Sequence, residues 1–167
     1  MNNVLSFVYA FMFIQIFMVA INDVKHRKIS NQWMILNIVF FIILLFIAPE
    51  HYQLSSETFF YSFTFLIVGF VGYFLRIMGP GDSKYLFSLF LVTPLLWHNS
   101  FFSVLLYSTC IIGGFSILTQ IVQNHEKIVT YAKSGYAQGF RECLGAKFPY
   151  APVILMAWVW MGQHLYF

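Results

Sequence analysis

The chain of 167 residues contains two aspartates, Asp23 and Asp82, and both lie beside long apolar runs. Asp23 ends one run and precedes a basic cluster, whereas Asp82 belongs to the segment Gly79-Pro80-Gly81-Asp82 directly before another run. Two neighbouring carboxyl groups can hydrolyse a peptide bond, because one takes a proton from water while the other protonates or polarises the substrate carbonyl. Like charges that lie close together favour one ionised and one protonated carboxyl. This chemistry requires a fold that brings the two aspartates together.

The composition predicts an integral membrane protein. Hydrophobic residues make up 60% of the chain and charged residues only 9%, with a mean hydropathy of +0.75. Soluble domains carry about 25% charged residues, so this chain lacks the polar surface that water requires. At this length we expect one integral-membrane domain over residues 1–167.

Six apolar stretches approach the length that spans a bilayer. They are Val4–Ile21, Trp33–Ala48, Phe59–Ile77, Tyr85–Trp97, Phe101–Val122 and Tyr150–Phe167. The second and fourth are short, and the fourth contains Pro94. A basic cluster follows the first stretch instead of preceding it, so we expect an uncleaved span with its N-terminus outside.

The basic residues predict the orientation of these spans. All nine Lys and Arg side chains lie in, or at the edge of, the three segments Asn22–Gln32, Met78–Lys84 and Gln123–Pro149. The positive-inside rule places such segments in the cytoplasm. The sequence therefore predicts an all-α polytopic bundle of about six transmembrane helices, with both termini outside and both aspartate-bearing loops on the cytoplasmic side.

Helix dipoles predict an asymmetry between the two carboxyl groups. Asp82 should cap the start of the fourth helix, where the positive end of the dipole favours an ionised base. Asp23 should end the first helix, where the negative end favours a protonated acid. Gly79 and Gly81 permit irregular backbone or a close approach of another segment beside Asp82. The simpler interpretation is a helix-breaking loop followed by an N-cap.

Other chemistries find little support in the sequence. The two cysteines, Cys110 and Cys143, form no CxxC pair, and the five histidines lack metal-ligand spacing. We therefore expect no metal and no organic cofactor. No run of Lys or Arg and no nucleic-acid motif is present, so we expect no nucleic-acid partner.

Two segments together resemble the type IV prepilin leader peptidases, which are membrane aspartyl proteases with a GxGD motif. They are NDVKHRKISN (Asn22–Asn31) and GPGDSK (Gly79–Lys84). The resemblance implies that Asp23 and Asp82 are catalytic. It makes Gly79, Gly81 and Lys84 supporting motif residues, and it gives Arg27 and Asn31 a substrate or loop role. Ser30 stands where the family usually has proline.

The resemblance also implies a substrate and a location. The substrate would be a prepilin or pseudopilin precursor, whose short basic leader is cut at the cytoplasmic face of the bacterial inner membrane. The absence of CxxC pairs makes the chain similar to the short, peptidase-only form of Tad/Flp pilus systems. Pilus or secretion machinery and the lipid bilayer would be its further partners. The segment KFPYAP (Lys147–Pro152) is similar to the start of the family's final span, with a role in packing.

Three alternatives compete with this interpretation. A transport or channel component would place acidic residues near the bilayer midplane, whereas both aspartates here adjoin one face. An intramembrane protease of the presenilin kind shares GxGD but has a Tyr-Asp pair where this chain has Asn22-Asp23. A noncatalytic assembly component would not need both aspartates.

Overall fold

A computed structural model describes residues 3–74, 79–134 and 149–166 of the chain, and throughout these ranges the regular structure is helical. The α-helices are α1 (Asn3–His26), α2 (Asn31–Ile47), α3 (Ser56–Phe74), α4 (Pro80–Val92), α5 (His98–Gln123), α6 (His125–Ser134) and α7 (Ala151–Tyr166), with a short 3₁₀ helix at Leu95–Trp97. The predicted all-α class is therefore confirmed for the described residues.

Local sequence signals account for the helix ends near the aspartates. Arg27 directly follows α1, and its φ of 48° is left-handed, while its N–H donates to the Asp23 carbonyl at 2.7 Å. Ser30 caps α2, and its hydroxyl accepts the Gln32 N–H. Helix α4 begins with Pro80 after an extended Gly79, because proline suits the first helical position.

Two sets of helix contacts build the bundle. Helix α4 packs against α2 and α3, and α7 packs against α1 and α5. Aromatic side chains fill the space where these sets meet: the Phe101 ring on α5 lies edge-on to Trp158 of α7 at 5.2 Å and 5.1 Å from Phe90 of α4. The two aspartate-bearing helices are thus held by one continuous apolar core.

A buried chain of polar side chains joins α1, α2 and α4. The Gln15 amide donates to Asn37 Oδ1 at 2.6 Å, and the Asn37 amide donates to Ser88 Oγ at 3.0 Å. All three residues are buried. Because such groups find few partners among apolar side chains, these bonds fix the register of the three helices.

Over its described residues, each predicted apolar stretch overlaps a helix, and the fourth needs a correction. The fourth stretch, Tyr85–Trp97, is not one helix: α4 ends at Val92, and the chain turns at Thr93 and Pro94. Proline has no backbone N–H to donate to a helical hydrogen bond, and this accounts for the break. Two of the described helical segments, Asn3–His26 and Leu95–Gln123, are long and apolar enough to cross a membrane, and three shorter apolar helices accompany them.

Candidate active site

Asp23 lies in the last turn of α1 on the face that packs against the core. Its exposed fraction is 3%, and it continues the buried row of Ile16, Val19 and Ala20. Its Oδ2 atom accepts the backbone N–H of Ala151 at 3.1 Å, across 128 positions of sequence. Ala151 is the first residue of α7, so the carboxylate of one helix end meets the start of another helix.

Asp82 lies in the first turn of α4, before the apolar stretch that begins at Tyr85. Its exposed fraction is 9%, and its Oδ2 atom accepts the Gly79 N–H at 2.9 Å. The Asp82 N–H in turn donates to the Gly79 carbonyl at 3.2 Å. Asp82 is therefore the third residue of the helix. The sequence had predicted Asp82 as the N-cap, but Gly79 holds that position.

The two carboxyl groups are close enough for their charges to interact. Burial raises the pKa of the Asp82 carboxyl from 3.8 to about 6, the bond from Gly79 lowers it in part, and the neighbouring Asp23 adds to the rise. Asp82 thus retains its proton to a higher pH than an ordinary aspartate.

The surroundings of the two carboxyl groups differ from those that the helix-dipole prediction assumed, and the assignment of base and acid stays a prediction. Asp23 ends α1, but its side chain reaches the N–H at the start of α7, where the helix dipole favours negative charge. Asp82 does lie at a helix start, yet its burial outweighs that advantage and favours the protonated form. The sequence could not show either effect, because both depend on which segments pack around the carboxyl groups.

The glycines around Asp82 permit close contacts. A Cβ atom on Gly81 would lie 3.1 Å from the Ile29 carbonyl oxygen, in the loop that follows Asp23. A Cβ atom on Gly79 would lie 3.1 Å from Asp82 Oδ2. Gly81 therefore brings the two aspartate-bearing loops together, while Gly79 lets the Asp82 carboxylate fold back onto the helix start.

A third glycine, Gly69 on α3, was not among the predicted site residues. A Cβ atom there would lie 2.1 Å from Ser83 Oγ and 2.4 Å from Ser83 Cβ, next to Asp82. Helix α3 thus approaches the aspartate-bearing turn of α4 at this glycine. Gly113 and Gly114 of α5 make no such close approach to the described residues, because a Cβ atom on either would meet nothing within 4 Å.

The remaining predicted site residues lie at the surface near the pair. Lys84, Arg27 and Asn31 are all exposed. Ser30 adopts a φ of −71°, which is within the range that proline imposes. Serine at this position therefore adopts a backbone conformation that a proline could also adopt.

A cavity of about 520 Å³ lies at the other end of α1. Its lining includes Leu5, Glu50, His51 and Asn99. Leu5 is 18 residues from Asp23 along one helix, which is about 27 Å, so the cavity is separate from the aspartate pair. Within the ranges 3–74, 79–134 and 149–166, no three His, Cys, Asp or Glu side chains form a metal-binding group.

The geometry on its own describes two buried carboxyl groups from separate helices, with different hydrogen-bond donors and an electrostatic interaction between them. Comparison with known proteins adds a family: the model of the type IV leader peptidase family matches residues 10–118, about two thirds of the chain. The matched range contains both aspartates. Searches of curated proteins and of solved structures found no match.

Proposed function

This chain belongs to the type IV leader peptidase family and is a membrane peptidase, and from that premise we propose that it is an aspartic endopeptidase of the GxGD type with Asp23 and Asp82 as its catalytic pair. The observation that carries the proposal is that two buried carboxyl groups, from α1 and α4, lie close enough for their charges to interact. No other pair of buried acidic side chains occurs among the described residues.

The two carboxyl groups have complementary roles in this proposal. Asp23, ionised beside the Ala151 N–H, takes a proton from water, and the water oxygen attacks the scissile carbonyl carbon. Asp82, protonated, donates its proton to the carbonyl oxygen. When the C–N bond breaks, the proton held by Asp23 passes to the leaving nitrogen, and loss of the diol proton to Asp82 restores both groups. Water and peptide yield one carboxyl and one amino terminus.

The proposed substrates are prepilin-like precursors, and the Flp/Tad type is favoured because the chain has no CxxC pair. The exposed lysine and arginine side chains near the aspartates in sequence are Lys25, Arg27, Lys28 and Lys84. These cations mark the cytoplasmic side. We therefore place the reaction at the cytoplasmic face of a bacterial inner membrane, in one multi-pass domain over residues 1–167 with both termini outside.

Cleavage of a defined precursor tests the proposal. The purified chain in detergent is incubated with a Flp-type prepilin, and the products are resolved on a gel and assigned by mass spectrometry. We expect removal of the leader by the parent and a loss of about 100-fold or more in Asp23→Asn and Asp82→Asn. Glu57→Gln and Glu126→Gln, which neutralise exposed carboxylates elsewhere, serve as controls and should cleave like the parent.

The variants separate the possible outcomes. Cleavage that survives Asp23→Asn or Asp82→Asn removes that aspartate from the mechanism. If a folded parent cleaves neither Flp-type prepilins nor pseudopilin precursors, the alternative of a noncatalytic transport or assembly component gains support.

A further inference from the structure

The start of α7 contacts Asp23, although the resemblance assigned this segment only a role in packing. Ala151 is fully buried, and its N–H is one of the donors that a helix start leaves without an intrahelical acceptor. Asp23 Oδ2 accepts this N–H at 3.1 Å. The hydrogen bond therefore depends on where α7 begins relative to α1.

Tyr150 determines where α7 begins. Its carbonyl accepts the N–H groups of Val153 at 3.0 Å and Ile154 at 3.3 Å, so it precedes the helix as its cap. Its phenol oxygen lies 2.9 Å from the hydroxyl of Thr109 on α5. The residue thus joins the first turn of α7 to a second helix through its side chain.

The direction of the Tyr150–Thr109 hydrogen bond follows from counting protons. The Thr109 hydroxyl donates its one proton to the Leu105 carbonyl at 2.7 Å. Tyr150 must therefore donate to Thr109, and a phenylalanine at position 150 would lose this bond. Tyr150 is also close enough to Asp82 for their charges to interact.

We propose that Tyr150 is a positioning residue of the active site: its hydrogen bond to Thr109 anchors the start of α7 so that the Ala151 N–H is directed at Asp23 and stabilises this carboxylate as the base. The proposal rests on the proposed peptidase function. It gives α5 and α7 an indirect part in catalysis, through the position of Asp23, although both aspartates lie on other helices.

Within the part of the chain that the structure describes, the titratable groups that interact around the pair come from several elements. Asp82 on α4 interacts with Asp23, Tyr150 before α7 interacts with Asp82, and Cys110 on α5 interacts with Tyr150. Helix α2 contributes no titratable side chain. The basic residues Lys25, His26, Arg27, Lys28 and Lys84 are exposed. A change in the pH dependence of cleavage on altering Tyr150 or Thr109 therefore reports on the aspartate pair.

The first test removes the side-chain hydrogen bond from either end. Tyr150→Phe and Thr109→Val should each lower kcat about tenfold with little change in KM, as expected for loss of one buried hydrogen bond that supports a charged group. The double variant should be no slower than either single variant, because both changes remove the same interaction. Thr109→Ser retains the hydroxyl and should restore the rate. Tyr107→Phe, an exposed tyrosine on α5, is the control.

The pH profile distinguishes positioning from a general structural role. In Tyr150→Phe the acid limb of the kcat profile should move to higher pH. The reason is that the Ala151 N–H is then less well directed at the ionised form of the pair. A fall in kcat with an unshifted profile, or a double variant whose losses add, would overturn the proposal.

The second test observes the Asp23 contact without requiring cleavage. The chain contains two aspartates, so ¹³C-carboxyl-labelled aspartate gives two signals, which Asp82→Asn assigns. Ala151→Pro removes the N–H at a helix position that tolerates proline, whereas the bulkier Ala151→Val retains the N–H. At a fixed pH the Asp23 signal should shift in Ala151→Pro and Tyr150→Phe and stay close to the parent value in Ala151→Val.

The two measurements separate failure of this proposal from failure of the peptidase function. An Asp23 signal that does not respond to Tyr150→Phe in a chain that cleaves its precursor overturns the positioning role alone. A responsive Asp23 signal in a chain that cleaves no precursor refutes the proposed reaction and supports the structural coupling. If Ala151→Pro does not accumulate, Tyr150→Phe and Thr109→Val still decide the question.

Discussion

At the scale of single residues, Asp82 combines burial with a charge-bearing side chain. The carboxyl is 9% exposed and lies close to a second carboxyl, and its pKa rises from 3.8 to about 6. The folded state then binds a proton more tightly than the unfolded state, so stability is lost as pH rises through this interval. At about 1.4 kcal/mol for each pH unit, the loss approaches about 3 kcal/mol above pH 6.

Replacing Asp82 by asparagine should therefore stabilise the protein at neutral pH. We expect Asp82→Asn to raise the free energy of unfolding at pH 7 by up to about 3 kcal/mol, with little gain near pH 4, where the parent carboxyl is protonated. Thermal unfolding in detergent at pH 4, 5, 6 and 7 measures this difference. Glu57→Gln, which neutralises an exposed carboxylate, is the matched control. A gain that does not depend on pH would contradict the assigned pKa.

The same pKa predicts how cleavage depends on pH. If Asp82 donates its proton, kcat/KM should fall as pH rises through about 6, because the free enzyme loses the protonated form above that value. Initial rates between pH 5 and 8 at low precursor concentration measure this limb. A kcat/KM that rises through pH 6 would make Asp82 the base and reverse the proposed roles.

The sequence predicted part of this residue-scale arrangement. Asp23 and Asp82 were identified because they are the two aspartates and both adjoin apolar runs. Tyr150 and Ala151 were missed as partners because 128 positions separate Ala151 from Asp23, and no local pattern links such distant residues. Only the segment KFPYAP drew attention to the start of the last helix.

At the scale of helices, small residues determine how closely α3 approaches the aspartate-bearing turn. Gly69→Ala would place a Cβ atom 2.1 Å from Ser83 Oγ, so α3 or the turn that carries Asp82 must move. We expect about 1–3 kcal/mol of destabilisation and a marked loss of cleavage. Gly114→Ala is the matched control, since its Cβ atom meets nothing within 4 Å. Thermal unfolding and precursor cleavage are measured on both variants, and equal behaviour would contradict the close contact.

The end of α4 shows why helix boundaries were harder to predict than helices. The apolar stretch Tyr85–Trp97 appears continuous, but Pro94 interrupts it. The final carbonyl groups of α4 then accept side-chain donors: Tyr52 bonds Val92 at 2.9 Å, and His98 Nε2 lies 3.0 Å from the Phe90 carbonyl and 2.9 Å from that of Thr93. Tyr52 is 40 positions from Val92, so the sequence around Pro94 does not reveal this partner.

Loss of one such donor should destabilise the bundle without changing the surroundings of the aspartates. Tyr52→Phe leaves the buried Val92 carbonyl without its side-chain donor, and we expect a cost of about 1–2 kcal/mol. Thermal unfolding measures it, with the exposed Tyr107→Phe as the control. Because Val92 is ten residues from Asp82 on one helix, about 15 Å, the folded variant should retain its cleavage rate. An unchanged unfolding temperature would show that water replaces the tyrosine hydroxyl.

At the scale of the whole molecule, composition was sufficient to predict an all-α membrane protein, because few charged residues are available to cover its surface. The order of the helices around the core was not predictable in the same way. It depends on specific contacts such as the Gln15–Asn37–Ser88 hydrogen-bond chain and on which glycine faces which neighbour. An apolar helix has several faces that suit a membrane, so hydrophobicity alone does not select its neighbours.

The orientation of the bundle in the membrane gives the last prediction. Lys25 and Lys84 flank the aspartate pair, whereas Glu57 begins α3 at the end away from Gly69, and all three side chains are exposed. We expect Lys25→Cys and Lys84→Cys to react with a membrane-impermeant maleimide only in inverted vesicles. Glu57→Cys should react only in intact cells whose outer membrane has been permeabilised.

This measurement uses a background with Cys110→Ser and Cys143→Ser, and detergent-solubilised samples show that each introduced thiol can react. The expected pattern follows from the positive-inside rule, because the basic segments remain in the cytoplasm during insertion. Labelling of Lys25→Cys and Lys84→Cys from opposite sides would be incompatible with one site at one face. Labelling of both cysteines from outside would be compatible with one site at one face. That face would then be the one that a cytoplasmic leader cannot reach.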